Sequence, residues 1–271
     1  MTKQLKEKYE DLKKYLQGFD SLAVAFSGGV DSTFLLAAAK EVLGEKVIAV
    51  TLLSGFVPEK EVKEATLFAS ALGVQHEFIR VDELSIPGVA ENPPDRCYFC
   101  KKALFTQIKA LAEKRKIQQV VDGSNLDDER DYRPGMLALA ELEIKSPLRI
   151  ARLTKEDIRA LSQMLNLPTW NKPSFACLAS RIPYGEPITK EKLAMIEEAE
   201  LFLMTLGFKQ LRVRCHDRLA RIEVPEEDIP LLLNSEMRKK IADAFAKIGF
   251  TYTAIDIKGY RTGSLNEALK Q

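Results

Sequence analysis

Apolar and polar positions run along this chain in two alternating periods. A charged stretch at helical spacing, residues 3–18, gives way to the unbroken apolar run Leu-Ala-Val-Ala-Phe at 22–26, too short for a packed helix and suited to a strand buried on both faces. Helical spacing returns over 32–43 and stops at Gly44; 46–53 reads as a second strand, 59–72 as a helix closed by Gly73, and 75–81 as a third strand. Short strands alternating with helices of ten or more residues predict an α/β fold with a Rossmann-like parallel sheet. Ligands of such sheets sit at the carboxyl ends of the strands.

Three prolines and a glycine make 85–95 a loop, which delivers the chain to Cys97-Tyr-Phe-Cys100, also placed in that loop. Residues 101–116 carry Leu104, Ile108 and Leu111 on one helical face, and 118–121 form a strand that ends in Asp122-Gly123-Ser124-Asn125. Thr154-Lys-Glu-Asp reads as the capping box of a helix reaching about residue 165. After an irregular stretch the domain boundary falls near Gly185, giving domains 1–185 and 186–271. The second has a helix at 189–206, a hairpin from 210–216 and 219–224, a helix at 235–248 with Ser235 as its N-cap, and a strand at 250–257. That pattern is a smaller C-terminal α+β domain.

Between the first strand and its helix stands Ser27-Gly28-Gly29-Val30-Asp31-Ser32. Two glycines let backbone N–H groups approach an anion, and the following helix aims its positive end at the same place. Ser27, Gly28, Gly29, Asp31 and Ser32 are therefore candidate nucleotide ligands, with Gly123 at the end of a neighbouring strand. The turn lacks the lysine with which a P-loop grips β- and γ-phosphates, which disfavours kinase or motor chemistry. The motif resembles the signature of the PP-loop ATP pyrophosphatases. That resemblance implies ATP binding, pyrophosphate release and transfer of AMP to an acceptor oxygen, with Asp31 helping to place Mg²⁺.

In 271 residues, 40 basic and 39 acidic side chains nearly cancel, so no overall charge attracts nucleic acid. No run approaches a membrane span and residues 1–7 lack the apolar core of a signal peptide, so a cytoplasmic protein is expected. In that reducing compartment the four cysteines are not disulfide staples. Cys97 and Cys100 at x₂ spacing, with a distant Cys177, could hold a [4Fe-4S] cluster with one iron left open, form a redox pair, bind zinc with a fourth ligand, or pack as inert thiols. Arg212 and Arg214 share one face of a strand, where their forked donors suit a phosphate, the alternative being surface ion pairs with Glu223 or Asp217; Cys215 faces the other way. Arg181, four residues after Cys177, is a candidate for a group near the reacting centre.

From Ser27 to Arg221 the chain resembles the LarE family, sulfur transferases of nickel-pincer nucleotide biosynthesis that serve lactate racemase maturation. The segments that carry the likeness are Ser27 to Ser32, Asp122-Gly123, Asp131-Tyr-Arg-Pro-Gly135, Trp170-Asn-Lys172, Ser180-Arg-x-Pro-Tyr-Gly185, Leu206-Gly-Phe208, Arg212-Val-Arg214 and Ala220-Arg-Ile-Glu223. The resemblance implies adenylation of a carboxylate of pyridinium-3,5-biscarboxylic acid mononucleotide and replacement of oxygen by sulfur. The family's sacrificial branch gives up the sulfur of a cysteine that falls at Ala176 here. With that donor absent, Cys97, Cys100 and Cys177 resemble the branch in which three cysteines hold a [4Fe-4S] cluster whose free iron carries sulfide from an external sulfide donor. The resemblance further implies substrate binding by Arg212 and Arg214, a divalent metal on Glu200 and Glu223 whose third acidic position is Leu231 here, and a homo-oligomer, a hexamer. Alternatives are sacrifice of Cys177 itself, a PP-loop tRNA thiolase, an ammonia-using synthetase of the NAD or GMP type, and a nucleotide-binding regulator without catalysis.

Overall fold

In the computed structural model, which describes residues 2–130, 134–173, 176–261 and 263–269, the chain enters through α1 (Lys3–Leu16) and then alternates strand and helix. The order is β1 (Leu22–Ala25), α2 (Val30–Leu43), β2 (Val47–Leu53), α3 (Glu59–Ala71), β3 (Gln75–Arg80), α4 (Arg96–Lys114) and β4 (Gln119–Val121), followed by α5 (Gly135–Glu141), α6 (Pro147–Ile150) and α7 (Lys155–Met164). The four strands form one sheet in the order β3-β2-β1-β4, all parallel. The chain winds outward from β1 to β3, then crosses back to place β4 on β1's other side. The carboxyl end of β1 is thus a topological switch point.

Both faces of the sheet are covered, as unbroken apolar strands require. Leu22, Val24, Val47 and Ala49 pack into one core with Phe34, Leu35 and Leu161. Ala23, Ile48 and Val50 pack into another with Phe105, Ile108 and Leu139. The capping box at Thr154 forms in full: its hydroxyl accepts from the Asp157 N–H, and the Asp157 carboxylate accepts from the Thr154 N–H.

The second unit holds α8 (Lys190–Thr205), β5 (Arg212–His216), β6 (Leu219–Glu223), α9 (Ile229–Leu233), α10 (Ser235–Ile248) and β7 (Tyr252–Ile255). β5 and β6 form the expected antiparallel hairpin, and β7 joins β6 in parallel. Asn234, not Ser235, caps α10: its side-chain oxygen accepts from the N–H groups of Glu236 and Met237, which leaves the serine as the first helical residue.

Two further expectations change. Cys97 and Cys100 lie in the first two turns of α4 rather than in a loop, because the helix starts as soon as the chain has passed Pro94 and buries Phe105, Ile108 and Ala112 farther along. The units divide as Met1–Asp82 with Asp95–Phe175, and Glu83–Pro94 with Ala176–Gln271, so the boundary comes earlier than Gly185 and an inner segment changes sides. The cause is Asn92, fully buried, whose side-chain amide donates to the carbonyls of Ile182 (3.3 Å), Pro183 (2.7 Å) and Glu186 (3.0 Å). Backbone bonds from Gly185 to Asn92 and from Ile188 to Ala90 complete the attachment. Among the described residues no helix is long and apolar enough to cross a membrane.

Candidate functional site

The loop after β1 is pinned by its own serines. Ser32 Oγ lies 3.1 Å from Ser27 Oγ and donates to the Gly29 carbonyl at 3.2 Å, while the Ser27 N–H donates back to Ser32 Oγ at 3.3 Å. Gly28 has φ +70°, and a Cβ there would stand 2.9 Å from the Cβ of Ala65 on α3. Gly123 meets the loop from β4: a Cβ there would stand 3.0 Å from the Ser32 nitrogen. Gly28 is set by its positive φ and by the packing of Ala65, Gly123 by the approach of its backbone to that of Ser32, and the N-terminal end of α2 is where a helix offers its unpaired amides to an anion. Ser27, Gly28, Gly29, Asp31, Ser32 and Gly123 come together as one corner of the first unit.

Charged side chains surround that corner. The Lys155 ammonium touches the Asp31 carboxylate, which also accepts from the Asn125 amide at 3.3 Å. Asn125 is itself held by Asp127 and Asp128, and the Asp127 carboxylate accepts from the Lys155 N–H at 2.8 Å. Lys172 Nζ lies 3.2 Å from the Gly28 carbonyl and 2.7 Å from both Glu61 and Glu64. Burial works against its charge, but hydrogen bonds to the two glutamates prevail and hold its pKa above the ordinary lysine value. Asp122 is buried and accepts from the hydroxyls of Ser124 and Ser146, which fixes the start of the β4 loop. At the carboxyl ends of β2 and β3 lies a cavity of about 430 Å³ lined by Leu53, Ser54, Gly55, Arg80, Val81 and Asp82.

Neither Lys155, Lys172 nor Asn125 stands among the sequence-predicted site residues. The loop's missing lysine was the one signal that a cation had to arrive from elsewhere in the chain. Behind the loop, Thr51 Oγ donates to the Phe26 carbonyl at 2.6 Å and lies 2.7 Å from His76 Nε2. Burial holds the pKa of His76 below the usual histidine value.

Cys97 and Cys100 are one helical turn apart on α4, each partly exposed, and Cys177 is partly exposed at the head of the short 3₁₀ turn Leu178–Arg181 in the second unit. No disulfide joins any of the four cysteines. Among the described residues no three His, Cys, Asp or Glu side chains are grouped to hold a metal ion. The donor set itself is all sulfur, two thiols sharing one helix face, and that chemistry fits an iron–sulfur cluster better than a hard cation. Cys215 is fully buried on the opposite face of β5 from the arginines, and burial pushes its thiol up to about 11.

The second unit's arginines are placed otherwise than expected. Arg181 is fully buried, forked onto Glu200 through two bonds of 2.9 Å, and donates to the carbonyls of Ala176 (2.5 Å) and Cys177 (3.1 Å). It braces the segment that carries Cys177 instead of presenting its charge to solvent. Arg214 is forked onto Glu223 at 2.9 and 2.7 Å and also donates to the Ser180 carbonyl and Ser264 Oγ. Arg212 donates to the Leu211 carbonyl and stacks 5.3 Å from the Tyr260 ring centre; burial first, then the Arg181 charge, lowers its pKa. Glu200 and Glu223, expected to hold a divalent metal, are instead the anionic halves of these two buried pairs. Glu223 serves a second guanidinium as well, that of Arg221 on β6 at 3.1 Å. The Asp131-Tyr-Arg133 part of one family segment lies outside the described residues.

The NAD synthase family model matches residues 4–90, which span the loop and the first three strands. Over 257 residues, 94% of this chain and 92% of the relative, the sequence is 37% identical to the pyridinium-3,5-bisthiocarboxylic acid mononucleotide synthase of Lactiplantibacillus plantarum. The chain belongs to the LarE family. It is an enzyme of the PP-loop, ATP-dependent sulfur transferase type, and the likeness runs through both units. An uncharacterised Synechocystis protein is 40% identical over 98% of this chain and 99% of its own length. A glutamine-hydrolysing GMP synthase of Aeropyrum pernix is 28% identical over 72% of this chain and 41% of its own length.

Proposed function

We propose that the protein uses ATP to adenylate a carboxylate of pyridinium-3,5-biscarboxylic acid mononucleotide and then exchanges the activated oxygen for sulfur. The observation that carries this reading is the serine-pinned loop at the switch point, closed by Gly123 and joined to a chain-long likeness to a thiocarboxylate synthase. The loop amides and the α2 N-terminus would seat phosphates, the cavity at the ends of β2 and β3 suits the adenosine end, and Asp31 is the carboxylate that would hold Mg²⁺. Carboxylate oxygen attacks the α-phosphorus and pyrophosphate departs with the bonding electrons. The acyl adenylate is needed because a carboxylate oxygen is otherwise a poor leaving group. Arg212, stacked on Tyr260, attracts the substrate phosphate.

Cys97, Cys100 and Cys177 are the residues that would hold a [4Fe-4S] cluster, and alanine at position 176 removes the donor of the sacrificial branch. Such a cluster, when bound, supplies an iron without a protein ligand on which sulfide from a separate donor can be presented. A cytoplasmic homo-oligomer, a hexamer, completes the proposal; Leu231 and Leu233, about half exposed on α9, suit a contact between copies.

The test is anaerobic purification with iron and acid-labile sulfide counted per chain, beside Cys177→Ala, and product analysis with ATP and the biscarboxylate. About four irons per chain, lost in the variant, with repeated turnover supports the reading. Iron-free protein that makes thiocarboxylate once per chain overturns the cluster and returns the role of donor to Cys177. Absence of pyrophosphate release with this acceptor overturns the reaction itself.

A further inference from the structure

The loop holds no lysine, yet two lysines reach it from one stretch of chain. Lys155 opens α7 and sits on Asp31, and Lys172, in the turn after α7, sits on the Gly28 carbonyl between Glu61 and Glu64. All these groups belong to the first unit. The turn that carries Lys172 is itself fastened to α7: Arg159 Nη1 donates to the Trp170 carbonyl and Nη2 to the Lys172 carbonyl, both at 2.7 Å. Lys155 and Arg159 are four residues apart and so share a helix face, which aims one helix at the loop both directly and through the turn.

The placement has an electrostatic reason. Adenylation expels pyrophosphate, and the charge on its oxygens grows as the bond to the α-phosphorus breaks. Backbone amides at a helix end stabilise such charge less than a full cation placed nearby does. In the absence of nucleotide the same cations need partners, and Asp31, Glu61 and Glu64 supply them. Their side chains are partly hydrated, 22% exposed for Asp31 and 15% for Lys172, so exchange of partners is not blocked by deep burial.

We propose that Lys155 and Lys172 together replace the phosphate-gripping lysine that the loop lacks, exchanging their carboxylates for the β- and γ-phosphates of ATP, and that Arg159 is a positioning residue for Lys172. The inference rests on the adenylation reading above, but its test separates from it. The whole chain is titrated calorimetrically with AMP, with the non-cleavable α,β-methylene analogue of ATP, and with inorganic pyrophosphate.

Wild type should bind the ATP analogue at least about tenfold more tightly than AMP, and pyrophosphate should compete with it. Lys172→Met and Lys155→Met should each weaken the analogue by about tenfold or more while AMP stays within about twofold. Arg159→Gln should weaken the analogue in the same selective way, with Arg159→Lys recovering part of the loss. Melting by circular dichroism accompanies each variant, and Lys172→Arg, which keeps the charge, should retain the preference for the analogue. Equal loss of AMP and analogue would make the lysines props for the loop, and unchanged affinities would sink the proposal outright. Selective binding that persists in a protein unable to release pyrophosphate would leave this inference standing and remove the adenylation reading alone.

Discussion

The corner around the phosphate loop and the arginine face of β5 are both built from cations paired with carboxylates, yet they solve different problems. At the loop the pairs are half wet: the Lys155 and Asp31 side chains are 29% and 22% exposed. In the second unit they are dry: the Arg214 and Glu223 side chains are 7% and 0% exposed, and Arg181 and Glu200 are 0% and 4%. A half-wet pair gives little net stability and can be exchanged cheaply for a ligand. A dry pair gains little over an apolar substitute, but loss of one partner strands a charge away from water. The pairs of the first region can therefore be exchanged for a ligand, and the Arg181–Glu200 and Arg214–Glu223 pairs hold a scaffold in one arrangement.

The strongest way to break this contrast is Glu223→Gln or Glu200→Gln. Each leaves a buried guanidinium without its anion and should cost about 3–5 kcal/mol in urea unfolding. A loss below about 1 kcal/mol would mean that the arginine face is far more hydrated than its packing indicates. Next is Gly123→Ala, whose added methyl would meet the Ser32 nitrogen at 3.0 Å. It should weaken ATP by about tenfold, with a smaller change in unfolding midpoint, as measured by calorimetry and thermal melting.

Thr154→Ala removes the cap of α7 and should cost about 1 kcal/mol, with Thr154→Ser recovering most of it. The smallest effect belongs to His76. Its pKa is lower in the folded than in the unfolded chain, so the unfolded state binds the proton first and stability falls as pH drops below about 6.5. His76→Phe should flatten the fall in melting temperature between pH 7 and pH 5; an unaltered slope would assign that fall to other groups.

The first unit was legible because its signals are local. Apolar strands such as Leu22 to Ala25, glycine stops, the Thr154 capping box and the six-residue loop each lie within a few positions of one another, and together they dictate a parallel sheet with a phosphate seat. The start of α4 was hidden by the proline-rich approach and by Cys, Tyr and Phe, which are weak helix formers. The α9 turn, with a proline in its first turn, left no apolar periodicity long enough to read. Arg212 and Arg214 were correctly placed on one strand face, but that Glu223 would close on Arg214 depends on the β5–β6 register. Lysines are so common that nothing marked Lys155, and Lys172 stood only as part of the family segment Trp170-Asn-Lys172, with no role until folding brought it to the loop.

Asn92 gives the molecule an order of assembly in time. Its partners Ile182, Pro183 and Glu186 are synthesised some ninety residues after it, a wait of about 5–20 s on a translating ribosome. During that interval the sheet of the first unit can close around both ends of residues 83–94, leaving them as an anchored bight of chain. Neither unit is therefore a continuous stretch of gene, and no single truncation or fusion point can lift one out whole.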